Sequence, residues 1–384
     1  MAYWGLETVG GNAHRNLWII PVRGGKPIPI TNDAPLDWRP AWAPDDRLLY
    51  FLSDRGGNMG VWRIAIDPDT GQRVSDPEPV QTSGTFAAGL SVSADGRRVV
   101  YASIARQSNS YRVEFDPAKD RIIGAPIPVT DGSRPYVYQD ISPDGQWVVL
   151  SSFGVEDLWV CRIDGRELRN ITADAHYDRG PRWANDSRRI AYFSNRSGKY
   201  EIWSIDRDGG NRRQLTQAAG NQPVRPAWSP DNTRVLFSDF TRQTVTIFDP
   251  RQGWSNQTPE VLPAIPNQPT KFFIPTSWSA DGLHIAGYFN ETQGIVVYGL
   301  NSRAYERVSE AGTYAVYLGD GRLLISAPQK LLLVDPATRQ STEVYAVAAP
   351  EIIASPSVSA DNRTVVFLKR SMDADIWMAE LSAK

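Results

Sequence analysis

Arg179-Gly180-Pro181-Arg182-Trp183-Ala184-Asn185-Asp186-Ser187, running on into Arg189-Ile190-Ala191-Tyr192-Phe193-Ser194, decides how this chain folds. Asn185-Asp186-Ser187 reads as a tight turn, because Asn, Asp and Ser side chains bond nearby backbone groups and tolerate turn geometry. The β-branched and aromatic run after it reads as a strand. Asn195-Arg196-Ser197-Gly198 turns the chain again, and Glu201-Ile202-Trp203-Ser204-Ile205 is the next strand. Asp206-Arg207-Asp208-Gly209-Gly210 is a further turn, and Arg213-Gln214-Leu215-Thr216 closes the unit. Four antiparallel strands result, A before the Asp turn and then B, C and D.

The same grammar extends in both directions. The turn recurs around Asp45, Asp95, Asp144, Asp186, Asp231, Asp281, Asp320 and Asp361, at spacings of 50, 49, 42, 45, 50, 39 and 41 residues. Such a period marks an array of one supersecondary unit. An apolar-Trp pair recurs in strand C: Leu17-Trp18, Val61-Trp62, Leu158-Trp159, Ile202-Trp203 and Ile376-Trp377. Thr ends strand D at Thr31, Thr82, Thr130, Thr172 and Thr216. Trp42, Trp183, Trp228 and Trp278 precede the turn and offer large apolar bodies to wedge between neighbours.

Four-stranded sheets repeated radially make a β-propeller. The expected fold is all-β, a propeller of eight four-stranded blades, with seven as the alternative. It is read as a single domain over 1–384, with residues 1–31 completing or flanking the closing blade and eight repeats over 32–381. Propellers close by completing one blade from both ends of the chain, which removes an open edge. Here the termini carry a surplus of strands, which suggests a propeller belonging to something larger.

Composition narrows the function classes. Against 43 acidic side chains stand 41 basic ones, a net charge of -2. That gives no electrostatic case for nucleic acid or an anionic membrane surface. One cysteine, Cys161, allows no intrachain disulfide and makes a thiolate metal site a poor reading. No apolar stretch approaches ~18 residues, so no direct membrane insertion is expected. Met1-Ala2-Tyr3-Trp4-Gly5 has neither the basic nor the apolar region of a signal peptide.

The repeats resemble the TolB-like, WD40-like (PD40) propeller family. The carriers are Arg225-Pro226-Ala227-Trp228-Ser229-Pro230-Asp231-Asn232 and the stretch from Arg179 to Thr216. The resemblance runs from about Leu17 to Leu381. Leu318-Gly319-Asp320-Gly321 departs from it by lacking Ser-Pro. The order of long and short repeats, with Asp54-Arg55-Gly56-Gly57-Asn58 and Asp67-Pro68-Asp69-Thr70-Gly71, is most similar to the C-terminal propellers of bacterial Ser/Thr protein kinases. The resemblance implies a ligand- or protein-binding sensor or scaffold. It would be extracytoplasmic if tied to a membrane-anchored sensor and cytoplasmic otherwise. Related propellers gate prolyl-oligopeptidase-like peptidases or act as metal-dependent lyases, and these are the alternatives.

Motifs for chemistry are missing. There is no Gly-x-Ser-x-Gly elbow, no His-Glu-x-x-His, no kinase catalytic loop and no Asp-Phe-Gly triplet. Asp206 to Asn211 resembles part of a calcium loop but lacks the distal Glu. The expectation is therefore no catalysis, no metal and no cofactor in this chain. Of three histidines, His14 sits in an N-terminal loop, His284 in a strand, and His176 in a D-to-A loop. The D–A and B–C loops share one face of a propeller, and A strands line the channel. Polar and aromatic residues ahead of each A strand should ring that mouth: Asp37, Trp38, Arg39, Tyr136, Tyr138, His176, Tyr177, Asp178, Arg179, Arg225, Phe272 and Phe273. Aromatic and Arg side chains are common binding anchors. The expected occupant is a protein, peptide or small ligand, and the expected state is a monomer.

Overall fold

A computed structural model describes residues 1–9, 12–33, 35–56, 59–80, 87–153, 156–218, 222–266, 271–290 and 293–381. Thr82, expected to end a D strand, lies outside them, as does the His14 side chain. The described chain is nearly all β-strand, with one short 3-10 turn at Trp254–Asn256. No helix among these residues is long and apolar enough to cross a membrane.

The contacts divide the chain into two compact units, 1–106 with 372–384, and 107–371. This differs from the single ring expected over 1–384. In the first unit, Ala2–Val9, Asn12–Ile19 and Ile28–Pro29 form a three-stranded sheet, and Asp37–Trp42, Leu48–Ser53, Gly60–Ala65 and Glu78–Pro79 a four-stranded one. Leu17, Ile19 and Ile30 pack with Leu49, Phe51 and Ile64 between these two sheets. Ala87–Val92 pairs with the strand starting at Arg98.

The second unit holds five four-stranded sheets in which the strands follow chain order from inside to outside, with inner strands Tyr136–Ile141, Asp178–Trp183, Pro223–Trp228, Phe273–Trp278 and Tyr314–Tyr317. A sixth sheet is completed from both ends of the unit. Its order is Ile352–Val358, Thr364 onward, the strand ending at Asp116, then Arg121–Pro128. Each inner strand touches the next, and Ile352–Val358 touches Tyr136–Ile141, so six sheets close a ring. Building the sixth sheet from both ends of the unit ties the first and last parts of the ring together. The expected count of eight counted Asp turns, and the turns at Asp45 and Asp95 belong to the other unit.

The repeat residues explain the packing. Trp183 lies between its own sheet and the preceding one, against Trp147, Val149 and Ile190. Trp228 and Trp278 do the same one and two sheets on. Each Asp anchors its turn: Asp231 Oδ1 accepts from the Ser229 hydroxyl (2.6 Å) and the Thr233 N–H (3.0 Å). The turns also tie neighbours together. Asn232 Oδ1 accepts from the Asn185 N–H (2.7 Å), and Asn362 Oδ1 from the Gly319 N–H (3.1 Å). Asn232 and Asn362 hold φ of 60°, the left-handed region that Asn enters most easily among residues with a side chain. The D-strand Thr has a job too. Its Oγ1 accepts an N–H at the start of strand C, from Leu158 for Thr172 and from Ile202, the second residue, for Thr216, both at 2.9 Å.

Candidate functional site

The channel of the second unit is built by its inner strands, and a shared irregularity aims their side chains. Five of the six inner strands carry a β-bulge near the middle. A bulge adds a residue, bends the strand and re-aims a side chain. Three bulge residues have positive φ: Gly180 (60°), Arg225 (54°) and Ser355 (47°). Glycine takes that conformation freely, whereas a side chain there costs about 1–2 kcal/mol. The strain at Arg225 delivers a guanidinium. Its Nη1 donates to Tyr288 Oη at 2.5 Å, and it sits 5.7 Å from the Tyr138 ring and 5.9 Å from the Tyr288 ring.

Three further arginines join it. Arg179 is paired with Glu156 and stands 5.6 and 5.8 Å from the Tyr177 and Tyr200 rings. Arg370 donates to the Val137 carbonyl. Arg182 donates from Nη1 to the Gln139 and Pro181 carbonyls, both at 3.2 Å, and lies 5.4 Å from the ring of Tyr314 on the opposite inner strand. Tyr138 lies near all four guanidinium groups. Burial pushes Arg182 and Arg370 below the usual arginine value, since a charged guanidinium loses hydration there. Beside Arg182, Asp140 accepts from the Trp183 N–H (2.8 Å) and the Ser357 hydroxyl (2.5 Å), while burial raises its carboxyl.

Below Arg182, towards the Asp turns, the axis opens into a cavity of about 270 Å³. All six sheets line it, with Asp140, Arg182, Trp228, Trp278, Tyr314 and Ser357 among its walls. Arg182 thus borders both the arginine-rich section and the cavity.

Of the residues named from sequence, Tyr138, Arg179 and Arg225 come together here. Others do not. Asp178 is fully buried and held by Arg196 at 2.6 Å, and Arg196 also bonds Asp174 at 3.1 Å. Asp37 is its counterpart in the first unit, buried against Arg55 at 2.8 Å, which reaches Asp33 at 3.0 Å. Both Asp residues are internal locks between the start of strand A and the B–C turn. Burial raises each carboxyl, with its arginine pulling the other way. Tyr136 is 2% exposed and belongs to the core with Val148 and Leu150. Phe273 stacks edge-on with Phe289 and Tyr305, and Phe272 with Phe240. Large apolar rings ahead of an A strand are packing material when they find aromatic neighbours.

His176 is half-buried, and its backbone N–H bonds Asp174 Oδ1 at 3.0 Å. Tyr177 is exposed beside Arg179. In the first unit, Trp38 donates Nε1–H to Met59 Sδ and lies 4.7 Å from the Arg15 guanidinium. Arg39 occupies the bulge of its strand at φ 54°, as Arg225 does in its own. Sequence reasoning missed Arg182, Arg370, Tyr288, Glu156 and Asp140. Arg182 stood in the repeat motif as a scaffold residue, and Arg370 and Tyr288 lie in B strands. Among the described residues no group of three His, Cys, Asp or Glu is placed to hold a metal ion.

Comparison with known proteins agrees with this architecture. Residues 137–262 match the family model described as PD40, TolB beta propeller domain. An uncharacterized protein of Agrobacterium fabrum is 27% identical over 205 residues, 50% of this chain and 66% of that protein. A TolB homolog of Chlorobium luteolum is 37% identical over 99 residues, 24% of this chain and 22% of that protein. In neither case does the chain span two thirds of its relative. The crystal structure of TolB from Acinetobacter baumannii aligns with a TM-score of 0.46 and 14% identity, over 81% of this chain and 76% of that one. Residues 137–262 match the TolB-like PD40 β-propeller family, and the sheets they form are of that kind.

Proposed function

We propose that this chain is a non-catalytic binding module, a sensor or scaffold whose ligand or protein partner enters the central channel of the second unit. The observation that carries the reading is Arg225. A strained backbone at φ 54° holds a guanidinium in the channel beside Tyr138 and Tyr288. The bulge recurs in the repeat, but here the position that glycine fills freely at Gly180 is given to an arginine, and a strained side chain is grounds for proposing a function. The non-catalytic part rests on the groups near His176. Asp174 and Asp178, the carboxylates that a lyase-like centre would draw on, are both engaged by Arg196.

The finer placement, as the sensor of a bacterial Ser/Thr kinase on the extracytoplasmic side, rests on repeat order and is tested by reading the full-length gene. Binding is tested by screening metabolite and peptide libraries by thermal shift. The wild type is compared with Tyr138→Ala and Arg225→Ala. The expected result is at least one ligand whose stabilisation disappears in both variants. Ligands that bind equally well to all three proteins refute the channel as the site.

A further inference from the structure

Three arginines of the second unit's channel make no direct ion pair, although Asp140 stands beside one of them, Arg182. Arg182, Arg225 and Arg370 form no salt bridge among the described residues, whereas Arg179 is matched by Glu156. Their partners are carbonyls, one phenol hydroxyl and ring faces. Buried cations are normally paired. Arg225 faces Tyr138 and Tyr288, and Arg182 crosses to Tyr314. Counting Asp140 and Glu156 as the opposing charges, four guanidinium groups face at most two carboxylates, and the channel carries a surplus of about two positive charges.

We infer that this channel takes a small organic dianion, a dicarboxylate, with one carboxylate on Arg225 and Arg370 beside Tyr138 and the other on Arg182. The inference rests on the binding-module reading and names the ligand class of that site. The cations call for a dianion, and the tyrosine walls favour an organic one, a dicarboxylate, over an inorganic anion. The surplus of two charges matches a dianion. A guanidinium fork binds a carboxylate or a phosphate through two parallel hydrogen bonds, so the fork accounts for an anion rather than for its kind. Arg225 and Arg182 occupy inner-strand positions two residues apart in the repeat, so the channel offers cations from two levels of its wall. The tyrosine rings of Tyr138, Tyr288 and Tyr314 supply apolar walls for a carbon chain. The cavity beyond Arg182 has a volume of about 270 Å³, which suits a small molecule rather than a folded partner.

The test is isothermal titration of the full chain with malonate, succinate, adipate, propionate, phosphate, an acidic hexapeptide and neutral 1,4-butanediol. The inference expects succinate or adipate to bind at one site per chain, at least tenfold tighter than propionate or phosphate. Arg225→Gln and Arg370→Gln should each weaken binding about 10- to 100-fold, the loss of one charge-assisted pair. Arg225→Lys keeps the charge without the fork and should fall between. Arg251→Gln, an exposed residue paired with Asp249, should change nothing. Circular dichroism melts confirm that each variant is folded.

Equal binding of phosphate and dicarboxylates overturns the inference, as does dicarboxylate binding within twofold of wild type in both Gln variants. Tighter binding of the hexapeptide also overturns it. If a neutral library ligand depends on Tyr138 and Arg225 while dicarboxylates do not bind, the binding-module reading stands and this inference falls. If dicarboxylates bind without regard to either residue, both fall.

Discussion

Arg196→Met should destabilise the second unit by about 3–5 kcal/mol, because it strands a buried carboxylate. Arg196 is 8% exposed and Asp178 0%. Its Nη2 donates to both Asp178 oxygens at 2.8 and 2.6 Å, its Nη1 to Asp174 at 3.1 Å, and its Nε to the Ser194 hydroxyl at 3.1 Å. The guanidinium also lies 5.3 Å from the Trp203 ring. Met fills much of the volume and removes every donor. The assay is equilibrium urea unfolding at pH 7, followed by fluorescence and circular dichroism, on wild type, Arg196→Met, Asp178→Ala and the double variant. A coupling energy of about 2 kcal/mol or more is expected, since the double variant no longer buries a lone charge.

Acid should shrink the defect. Burial raises the Asp178 carboxyl above its ordinary 3.8 even with Arg196 present. Between 3.8 and that raised value the folded chain keeps a proton the unfolded chain has released, so this group's contribution falls as pH rises through the window. Removing Arg196 raises the carboxyl further. The deficit of Arg196→Met is therefore largest at neutral pH and narrows as pH falls towards 4. A loss under 1 kcal/mol at pH 7, or additive single variants, refutes the lock and returns Asp178 to the ranks of available site residues.

Three other outcomes follow from the same packing. Asp231→Ala should remove about 1 kcal/mol at pH 7, after allowance for solvent screening of an exposed turn. Its carboxyl is lowered to about 2 by the Ser229 hydroxyl and then Thr233, so that stability is present above 3.8 and lost as pH falls through about 2; a urea series across pH 2–7 checks it. Cys161 is buried and its thiol is pushed up to about 12, so a disulfide reagent at pH 8 should label it only after denaturation, with rapid native labelling as the contrary result. Gly287→Ala should lower stability by about 3 kcal/mol in thermal melts, because its new methyl would stand 2.2 Å from the Ile274 carbonyl oxygen and 2.8 Å from Pro275 Cα, both backbone.

The repeat was legible because turn chemistry and strand composition are local. Asp186, Trp183 and Thr216 each do in the structure what their position in the repeat implies. Closure was not legible, because it depends on which distant strands pair. Arg98–Asp116 and Thr364–Glu380 are long strands, and each has one part in each unit. A count of Asp turns cannot see that division. The site was half legible. Tyr138, Arg179 and Arg225 precede or occupy A strands as a channel residue should. Asp37 and Asp178 occupy the same stretch but meet Arg55 and Arg196 from the next turn, a contact across 18 residues. Arg370 and Tyr288 came from B strands, where alternation alone does not tell a channel-facing residue from a blade-facing one.

The central claim is that the second unit's channel binds a ligand through Arg225. A crystal structure of the full chain grown with saturating adipate tests it most directly. The account expects one molecule on the axis, with a carboxylate against Arg225 and Arg370 beside Tyr138. Adipate found elsewhere, with the channel empty and Arg225 still bonded to Tyr288, contradicts it.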